Sequence, residues 1–424
     1  MKKSTKTVEA ILIGAGQRGA QVYGNYALHH GRDIRFVAVA EPDRERRDSF
    51  CKDHGILPEN AVANWTELLD RPLFADCVFV CTQDNQHIEP ALAALDKGYH
   101  VILEKPVSRE PEELLALQEK AHKTGRIVTV CHVLRYTPFF SKVKEILDSG
   151  VIGQVQSIQQ IENVAYWHQA HSYVRGNWRR ADQASPMILA KSCHDMDILL
   201  WMADSHCTKV SSFGSLGHFR AECAPPDAPD YCLDGCPHAA ECPYNAERIY
   251  LQDKGVHVPV IRKVVSLQDT DEAVRAALRR GPYGRCVYHC DNDVVDHQVV
   301  NLEFENGVTA SFTMCAFTWE GSRTLKIMGT RGQITGDVEE NCVRVVNFAT
   351  GDVTEYHLNV DPAGHSGGDI GFMQDVVKQI QSGGTYKGRT SIDNSVESHQ
   401  IALAAEQSRI SGETMRLECC SYGG

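Results

Sequence analysis

The 424-residue sequence has no long apolar run and no run of basic residues. No segment approaches the roughly 18 apolar residues that a membrane-spanning helix needs. The formal net charge is −12, from 43 Lys and Arg against 55 Asp and Glu. Nucleic acids and anionic membranes bind clustered cations. We therefore expect a protein that binds neither nucleic acid nor membranes.

Internal repeats, low-complexity tracts and a secretory signal are also missing. Two lysines precede an apolar stretch near the start, but this stretch is short and runs into a glycine-rich turn without a small-residue cleavage pattern. We therefore expect a cytoplasmic protein. Most of the 16 cysteines are expected to be thiols in that reducing compartment, where they pack as small apolar side chains.

The chain is longer than a single hydrophobic core usually supports, so two domains are expected. Residues 1–131 alternate short apolar runs with helical patterns. Strands are predicted at 8–13, 34–40, 77–81, 100–103 and 127–131, with helices at 89–97 and 111–123 among them. This alternation predicts an α/β Rossmann domain with a doubly wound parallel sheet.

Residues 132–424 have a different pattern. Apolar and polar residues alternate along 155–161 and 299–304, as in half-exposed strands, and Asn306-Gly307 predicts a hairpin. We expect an α+β substrate-binding and oligomerisation domain with a large, mostly antiparallel open sheet and a final helix over 391–408. Residues 217–295, rich in Pro, Cys and Asp, are interpreted as an insertion without a core of its own.

The glycine turn, residues 14–19, follows the first predicted strand and opens a helix. Gly14 permits the tight turn, Gly16 lets the backbone approach a pyrophosphate, and Gly19 allows close packing of the helix. Glu41, 22 residues after Gly19, would accept hydrogen bonds from the adenine ribose. This arrangement predicts a dinucleotide site that favours NAD, while Arg44 and Arg46 leave NADP possible.

Three further motifs complete a recognisable pattern: Thr82 with His87, Glu104-Lys105-Pro106, and His194-Asp195-Met196-Asp197. Together with the glycine turn, they resemble the glucose–fructose oxidoreductase/inositol dehydrogenase (Gfo/Idh/MocA) family. The resemblance implies an NAD(P)-dependent oxidoreductase that transfers a hydride between the nicotinamide and a hydroxyl of a sugar, inositol or sugar derivative. It also implies a homodimer or homotetramer. The implied cofactor site is Gly14, Gly16, Gln17, Arg18, Gly19, Glu41, Thr82, His87, Glu104 and Lys105.

The resemblance also implies roles for two residues. Lys105 lies beside the nicotinamide and hydrogen-bonds the hydroxyl being oxidised, and His194 is the proton acceptor or its partner. The family commonly has an acidic residue four positions before this histidine, where this sequence has Ala190 followed by Lys191. A neighbouring ammonium would lower the pKa of His194. Either Lys191 shares the proton transfer, or the substrate itself differs.

Residues 163–180 are dense in groups that bind sugars, because aromatic faces stack on C–H groups while amides and guanidinium groups bond hydroxyls. The alternative is a loop that only packs on the sheet. The predicted substrate residues are Trp167, His171, Arg175, Asn177 and Trp178, with Tyr166, His168 and Arg179 in the same segment. The sequence His-Ser-Gly-Gly-Asp at 365–369 also resembles a family loop near the substrate.

Four cysteines lie within one proline-rich stretch: Cys223, Cys232, Cys236 and Cys242. Four thiolates could hold a structural zinc, although the spacing matches neither a standard finger nor a ferredoxin cluster. Cys286 or Cys290 could replace Cys223 as the fourth ligand. Free thiols are the alternative.

Two other functions remain open at this stage. Some members of the family oxidise a sugar hydroxyl transiently, eliminate a glycosidic substituent and return the hydride, so that no net redox change occurs. A non-catalytic nucleotide or sugar sensor that kept the fold is the other alternative. The intact Glu-Lys-Pro turn argues against a sensor.

Overall fold

Two β-sheets organise the protein in this computed structural model, which describes residues 6–359 and 367–417. The first sheet has six strands, all parallel, in the order β3-β2-β1-β4-β5-β6. Its strands are β1 Val8–Ile13, β2 Ile34–Ala40, β3 Ala61–Val62, β4 Cys77–Val80, β5 His100–Leu103 and β6 Val128–Val130. Strands β1, β4 and β5 are almost wholly buried, as expected for a parallel sheet covered on both faces.

Helices connect these strands, and their ends follow local sequence signals. A π-helical segment, Gln17–Gly24, leads into α1 Asn25–His29, and α2 Arg44–His54, α3 Thr66–Leu69, α4 Ile88–Lys97 and α5 Pro111–Thr124 follow. The Asp43 carboxylate accepts a hydrogen bond from the Arg46 amide at the start of α2. Glycines in the left-handed conformation end α2, α4 and α5.

The second sheet has nine strands in the order β14-β13-β12-β11-β7-β10-β9-β8-β15. All neighbouring pairs are antiparallel except β7 with β10. The strands are β7 Val155–Ala165, β8 Cys207–Ser215, β9 His297–Phe304, β10 Thr309–Thr318, β11 Ser322–Gly329, β12 Gly332–Asp337, β13 Cys342–Asn347, β14 Val353–His357 and β15 Met415–Arg416. Alternate residues of β9 are buried and exposed, so one face of the sheet is open. The predicted fold class, a Rossmann domain and an α+β domain with a mostly antiparallel open sheet, is confirmed.

Most of the remaining helices cover the second sheet or belong to the insertion. They are α6 Pro138–Asp148, α7 Tyr166–His168, α8 Met187–Ala190, α9 Cys193–Ala203, α10 Val258–Val265, α11 Asp271–Arg280, α12 Gly368–Gln381 and α13 Ile392–Ser411. Of these, α12 and the start of α13 also pack with the first domain. A second π-helical segment, Gln169–Arg175, continues from α7. The insertion has a small core of its own, in which Phe219, Tyr250 and Leu278 pack with Val174. The expectation that it lacks a core was wrong.

One late helix crosses back to the first sheet. Phe372, Met373 and Val376 of α12 pack with Leu12 of β1 and Phe79 of β4. Helix α12 therefore covers the Rossmann sheet, although it lies far beyond residue 131 in the sequence. The division into two domains at residues 131 and 132 stays a prediction. Among residues 6–359 and 367–417, no helix is long and apolar enough to cross a membrane.

Candidate dinucleotide and active site

The glycine turn has the geometry that close approach requires. Gly14 has φ +94°, and a Cβ there would lie 2.5 Å from the carbonyl oxygen of Cys81. A Cβ on Gly19 would lie 2.1 Å from the carbonyl oxygen of Gly14. A Cβ on Gly16, by contrast, would meet nothing within 4 Å. The first and third glycines are therefore needed by the fold, while the second faces open space.

That open space lies at the start of the Gln17–Gly24 segment. Gly16 occupies the cap position, and no side chain caps the segment there. Uncapped N–H groups at the start of a helix attract anions. Gln17 is exposed beside them. The turn therefore fits the pyrophosphate of a dinucleotide, as the sequence predicts.

Glu41 lies against the same turn at the end of β2. One carboxylate oxygen accepts a hydrogen bond from the Ala15 amide at 2.7 Å, and the other accepts one from the Asp43 amide at 3.0 Å. The side chain is buried, with 6% exposure. Backbone amides therefore fix a carboxylate beside the glycine turn, where the adenine ribose of a dinucleotide is expected.

Arg18 and Glu104, both predicted to bind cofactor, bind each other. The Arg18 Nε donates to Glu104 at 2.6 Å, and its Nη2 donates to Tyr23 at 2.6 Å and to Asp369 at 2.8 Å. The Tyr23 hydroxyl also donates to Glu104. Burial opposes the Glu104 charge, but the Arg18 guanidinium, the Tyr23 hydroxyl and the Lys105 ammonium together outweigh it, so the pKa of that carboxyl is lowered. This cluster joins the glycine turn and the Glu-Lys-Pro turn to α12.

Asp369 is the last residue of the His-Ser-Gly-Gly-Asp sequence. Its carboxylate lies in the first turn of α12 and is buried in the Arg18 cluster. His365 and Ser366 lie outside the described residues. The part of this sequence that the structure describes thus contributes an ion pair near the glycine turn.

His87 connects the loops after β4 and β5. Its Nδ1 lies 2.6 Å from the Pro106 carbonyl oxygen, and its Nε2 lies 3.1 Å from the Thr82 carbonyl oxygen. The Thr82 hydroxyl donates to the Gln86 carbonyl. His87 is only 1% exposed. The imidazole therefore positions both loops at the carboxyl edge of the first sheet rather than facing solvent.

Lys105 reaches from the first sheet to the second domain. Its Nζ donates a 2.7 Å hydrogen bond to the carbonyl oxygen of Ala190, the last residue of α8. The peptide bond between Lys105 and Pro106 is cis. Three residues after Ala190, α9 begins at Cys193 and carries His194 in its first turn. The Lys105 ammonium is therefore held at the junction between the Rossmann sheet and the segment that presents His194.

His132 lies near His194, and a third histidine, His399, lies near His132. The ring centroids of His132 and His194 are 5.7 Å apart at an interplanar angle of 79°, and those of His132 and His399 are 5.5 Å apart. His399 accepts from the Val107 amide at 2.9 Å. Burial lowers the pKa of His132, and it lowers that of His399 to about 3. Sequence reasoning missed both residues, because neither belongs to a local motif.

Lys191 is engaged with a carboxylate on the neighbouring sheet. Its Nζ lies 3.0 Å from Oε1 of Glu162 on β7, whose other oxygen lies 2.6 Å from Nη2 of Arg323. Arg323 also binds Asp195 on α9. Burial raises the pKa of Glu162 despite Arg323 and Lys191. Glu162 therefore supplies a carboxylate that the sequence around Ala190 lacks, and it partly neutralises the Lys191 charge expected to act on His194.

Glu162 could have been found from the strand pattern. Along β7 the buried positions alternate, and they include Gln160, Glu162 and Val164. Polar residues on the inward face of a strand need partners, since burying an unpaired charge is costly. This pattern indicates a buried polar site on β7, but it does not identify the partners.

Trp178 brings the predicted substrate segment to the first domain. Its Nε1 donates to Oδ1 of Asp84 at 3.1 Å. Asp84 follows β4, is 8% exposed, and its Oδ2 has no hydrogen-bond partner among the described residues. Asp84 was not predicted, although its position after a parallel strand is typical of functional residues. An unpaired carboxylate oxygen is thus available beside Trp178.

His171 and Arg175 do not lie with Trp178. The His171 Nδ1 is 2.8 Å from the Tyr250 hydroxyl, its ring stacks on Tyr283, and burial lowers its pKa to about 3. Arg175 is 1% exposed and donates to carbonyl oxygens within the insertion. Both side chains fix the insertion to the Gln169–Arg175 segment, so they are removed from the candidate substrate residues.

The other members of that segment lie in more open surroundings. Trp167 stacks on His257 with ring centroids 3.8 Å apart, and Tyr166 stacks on the exposed Trp319 at 5.7 Å. Asn177 is exposed. The two aromatic pairs are partly accessible and remain candidates for sugar contacts.

The cysteine cluster differs from the predicted zinc set. Cys232, Cys236, Cys242 and Cys286 line a cavity of about 20 Å³, which we call the thiol cavity, and Cys223 does not line it. All of these cysteines are free. Over the described ranges, no three or more His, Cys, Asp or Glu side chains are arranged to hold a metal ion. The expectation of a structural zinc is therefore not supported.

Comparisons with known proteins agree with the fold. The model of an oxidoreductase family with an NAD-binding Rossmann fold matches residues 8–132, and that of its C-terminal alpha/beta domain matches 144–413. The Bacillus subtilis protein YteT is 24% identical over 371 residues, which are 83% of each chain. The scyllo-inositol 2-dehydrogenase (NAD(+)) of Bacillus subtilis is 25% identical over 46% of this chain and 55% of its own length.

A solved structure gives a longer match at lower identity. A levoglucosan dehydrogenase in complex with NADH and levoglucosan superposes with a TM-score of 0.70 and 19% identity, over 97% of this chain and 99% of that one. This likeness shows the fold alone. The family models cover both domains, however, and the motifs quoted above lie within them. The chain belongs to the Gfo/Idh/MocA family of oxidoreductases and has its NAD-binding Rossmann domain.

Proposed function

We propose that the protein is an NAD-dependent dehydrogenase that oxidises a secondary hydroxyl of a sugar, an inositol or a related polyol. One observation carries the proposal. The Lys105 Nζ extends from the carboxyl edge of the Rossmann sheet to the Ala190 carbonyl, directly before the helix that presents His194. A cation and a proton acceptor are the two groups that oxidation of a carbinol requires beside the nicotinamide.

Each group has a defined task in this proposal. NAD, when bound, accepts the hydride. The Lys105 ammonium donates a hydrogen bond to the substrate hydroxyl oxygen and stabilises the negative charge that develops there. His194 accepts the hydroxyl proton. Lys191, paired with Glu162, holds positive charge near this site and assists Lys105 rather than replacing it.

The surroundings of Glu41 support NAD over NADP. Both carboxylate oxygens are oriented by amides next to the glycine turn. A 2′-phosphate would place negative charge beside this carboxylate, which is unfavourable. Arg44 is engaged with Asp48, and Arg46 is exposed. We therefore expect Kd for NAD to be lower than that for NADP in calorimetry.

A polyol or sugar substrate fits the side chains at the domain junction. The free Oδ2 of Asp84 would accept a hydrogen bond from a substrate hydroxyl, while the Trp178 ring offers an apolar face. Tyr166, Trp167 and Trp319 extend this aromatic surface outward. The names of the relatives, an inositol dehydrogenase and a levoglucosan dehydrogenase, support the same substrate class.

We also propose a cytoplasmic homodimer or homotetramer that pairs through the open face of the second sheet. Ile161, Phe213 and Val299 are exposed on strands of this sheet. Exposed apolar side chains on an open sheet favour association between identical chains. Light scattering of the purified protein measures the oligomeric state, and a monomer at all concentrations contradicts this part of the proposal.

The function is tested by incubating the protein with NAD and a panel of sugars, inositols and glycosides. We expect NADH to accumulate with at least one of them. With that substrate, Lys105→Met should lower kcat by about 100-fold or more and leave NAD affinity unchanged, because removing one preorganised donor that stabilises developing negative charge costs about 10²–10³-fold in kcat. Aglycone release without NADH would instead indicate the redox-neutral reaction.

Lys97→Met is the matched control. The Lys97 Nζ also donates to a backbone carbonyl, that of Asp70 at 3.1 Å, but it lies at the end of α4 away from the junction. We expect this variant to keep wild-type kcat. An unchanged rate in Lys105→Met with the true substrate refutes the catalytic assignment.

A further inference from the structure

His132 is a buried imidazole whose two nitrogens lack hydrogen-bond partners within the described part of the chain. It follows β6 at the carboxyl edge of the first sheet, and its side chain is 0% exposed. Burying an unpaired polar group costs free energy, which a phenylalanine of similar shape would avoid. A histidine that keeps two unpaired nitrogens at this place indicates a partner that it engages only during function.

Two polar groups close to His132 are engaged elsewhere. His399 accepts from the Val107 amide at 2.9 Å, and its Nδ1 lies 2.7 Å from a carbonyl oxygen within α13. Both oxygens of Asp197 accept from Arg135, at 2.7 and 2.8 Å. His399 and Asp197 therefore have their hydrogen-bonding capacity directed away from His132.

His194 is the other imidazole beside His132. The two ring centroids lie 5.7 Å apart, and the ring planes cross at 79°. The rings do not share a hydrogen bond at this spacing, since both His132 nitrogens are unpaired. Hydrogen bonds that serve proton transfer are commonly long before the substrate binds, and they tighten in the complex. His132 thus lies where it can pair with His194 when that ring holds a proton.

We propose that His132 is a positioning residue for the proton acceptor, and that one of its ring nitrogens accepts a hydrogen bond from the His194 imidazolium formed during oxidation. This inference rests on the proposed function, in which His194 accepts the substrate proton. The O–H bond of the substrate breaks, its proton forms an N–H bond on His194, and its electron pair completes the C=O bond. The C–H bond breaks and its electron pair leaves as hydride to the nicotinamide. His132 gains no proton, but its hydrogen bond stabilises the charge on His194.

The surroundings of His132 suit an acceptor. Burial lowers the pKa of His132, so the ring is neutral near pH 7 and one nitrogen carries a free lone pair. The charged groups around it are Asp197, Arg135, Lys105 and Glu104, and the neighbouring titratable rings are His194 and His399. The two cations add to the effect of burial and oppose a charge on His132 itself.

The first test needs no substrate and uses NMR titration of the full-length protein with isotope-labelled histidine rings. His194→Gln identifies the His194 signals. In His132→Phe we expect the pH midpoint of His194 to fall by about one unit or more, because a hydrogen bond to the charged form favours that form. An unchanged midpoint overturns the proposal.

The wild-type protein gives a measurement that does not depend on the folding of any variant. Its His132 ring signals should shift with the same pH midpoint as those of His194, because the hydrogen bond forms when His194 takes up its proton. His132 signals that do not respond to the titration of His194 overturn the proposal.

Activity with the substrate of the wild-type enzyme is the second test. His132→Phe should lower kcat about tenfold or more, leave KM and the Kd for NAD unchanged, and move the acid limb of the kcat/KM profile to lower pH. A side chain that only packs would leave this limb in place. His132→Asn and His132→Gln carry amide groups near the positions of Nδ1 and Nε2, so one of them should restore most of kcat and of the His194 midpoint. Failure of both to restore either quantity contradicts the assignment.

His54→Phe is the matched control. His54 is half-buried at the end of α2, its ring stacks on Phe50 with centroids 4.1 Å apart, and burial lowers its pKa as it does for His132. We expect this variant to keep the wild-type His194 midpoint and kcat, and equal shifts in the two phenylalanine variants refute a specific role for His132. The titration uses the protein alone, so its result stands even if no sugar or inositol is oxidised. A failure of this inference is therefore distinguishable from a failure of the proposed function.

Discussion

Replacing Arg323 should cost the second domain a large part of its stability. Arg323 lies on β11, and its side chain contacts a carboxylate on α9 and another on β7. Its Nε lies 2.7 Å from Asp195, and its Nη2 lies 2.6 Å from Glu162. The side chains of Asp195 and Glu162 are 0% and 2% exposed. One guanidinium therefore pairs with two buried carboxylates.

The expected loss in Arg323→Met follows from these contacts. Removing one partner of a buried ion pair costs about 3–5 kcal/mol, because the remaining charge stays buried. Here two partners reduce that cost. The Gln160 amide donates to Asp195 at 2.6 Å, and Lys191 stays 3.0 Å from Glu162. We therefore expect a decrease of about 3 kcal/mol in the free energy of unfolding, a large part of the total of about 5–15 kcal/mol for a domain.

The measurement is urea unfolding followed by circular dichroism, with Arg344→Met as the matched control. Arg344 lies on β13 of the same sheet and pairs with Glu355 at 3.5 Å, but the two side chains are 41% and 49% exposed. Such an exposed pair contributes about 0–1 kcal/mol. Adding Glu162→Gln to Arg323→Met should recover part of the loss. Equal midpoints for Arg323→Met and Arg344→Met would refute the reasoning.

Two further predictions concern the glycine turn and acid stability. Gly19→Ala should unfold at a lower urea concentration and lose NAD binding, because its Cβ would lie 2.1 Å from the Gly14 carbonyl oxygen. A Cβ on Gly16 would meet nothing within 4 Å. Gly16→Ala should therefore keep the wild-type urea midpoint and lose only NAD affinity in calorimetry. Burial lowers the pKa of His399 from 6.5 to about 3, so the unfolded chain takes up its proton first. The stability of the native state is therefore complete above pH 6.5 and falls as the pH decreases from 6.5 towards 3. His399→Gln should make this fall shallower in urea midpoints, and an unchanged slope contradicts the assignment.

Local patterns sufficed for most of the first domain. The bounds predicted for the first two strands agree with β1 Val8–Ile13 and β2 Ile34–Ala40, because each is an apolar run that ends at a turn signal. The hairpin predicted at Asn306-Gly307 joins β9 and β10. The family was identified from short motifs at the strand ends, and the family models confirm it. These features depend on neighbouring residues, which the sequence displays directly.

The substrate segment shows where local patterns fail. Its density of aromatic and cationic residues indicated sugar binding, yet the segment divides between two surroundings. Trp178 faces Asp84 of the first domain, whereas His171 and Arg175 face the insertion. The insertion residues that cover Arg175 lie far along the chain, Arg285 among them, 110 positions away. Composition alone does not reveal which side of a helix a distant segment will cover.

Several buried arginines pair with a buried carboxylate, but the sequence does not show which carboxylate is the partner. Arg135 pairs with Asp197 over 62 positions, Arg323 with Asp195 over 128, and Arg18 with Asp369 over 351. Each arginine was visible in the sequence, but its burial and its partner depend on the completed fold. Arg175 is buried as well, but its guanidinium donates to the carbonyl oxygens of Arg285 and Tyr244 at 2.7 Å each, which no local pattern in the sequence indicates.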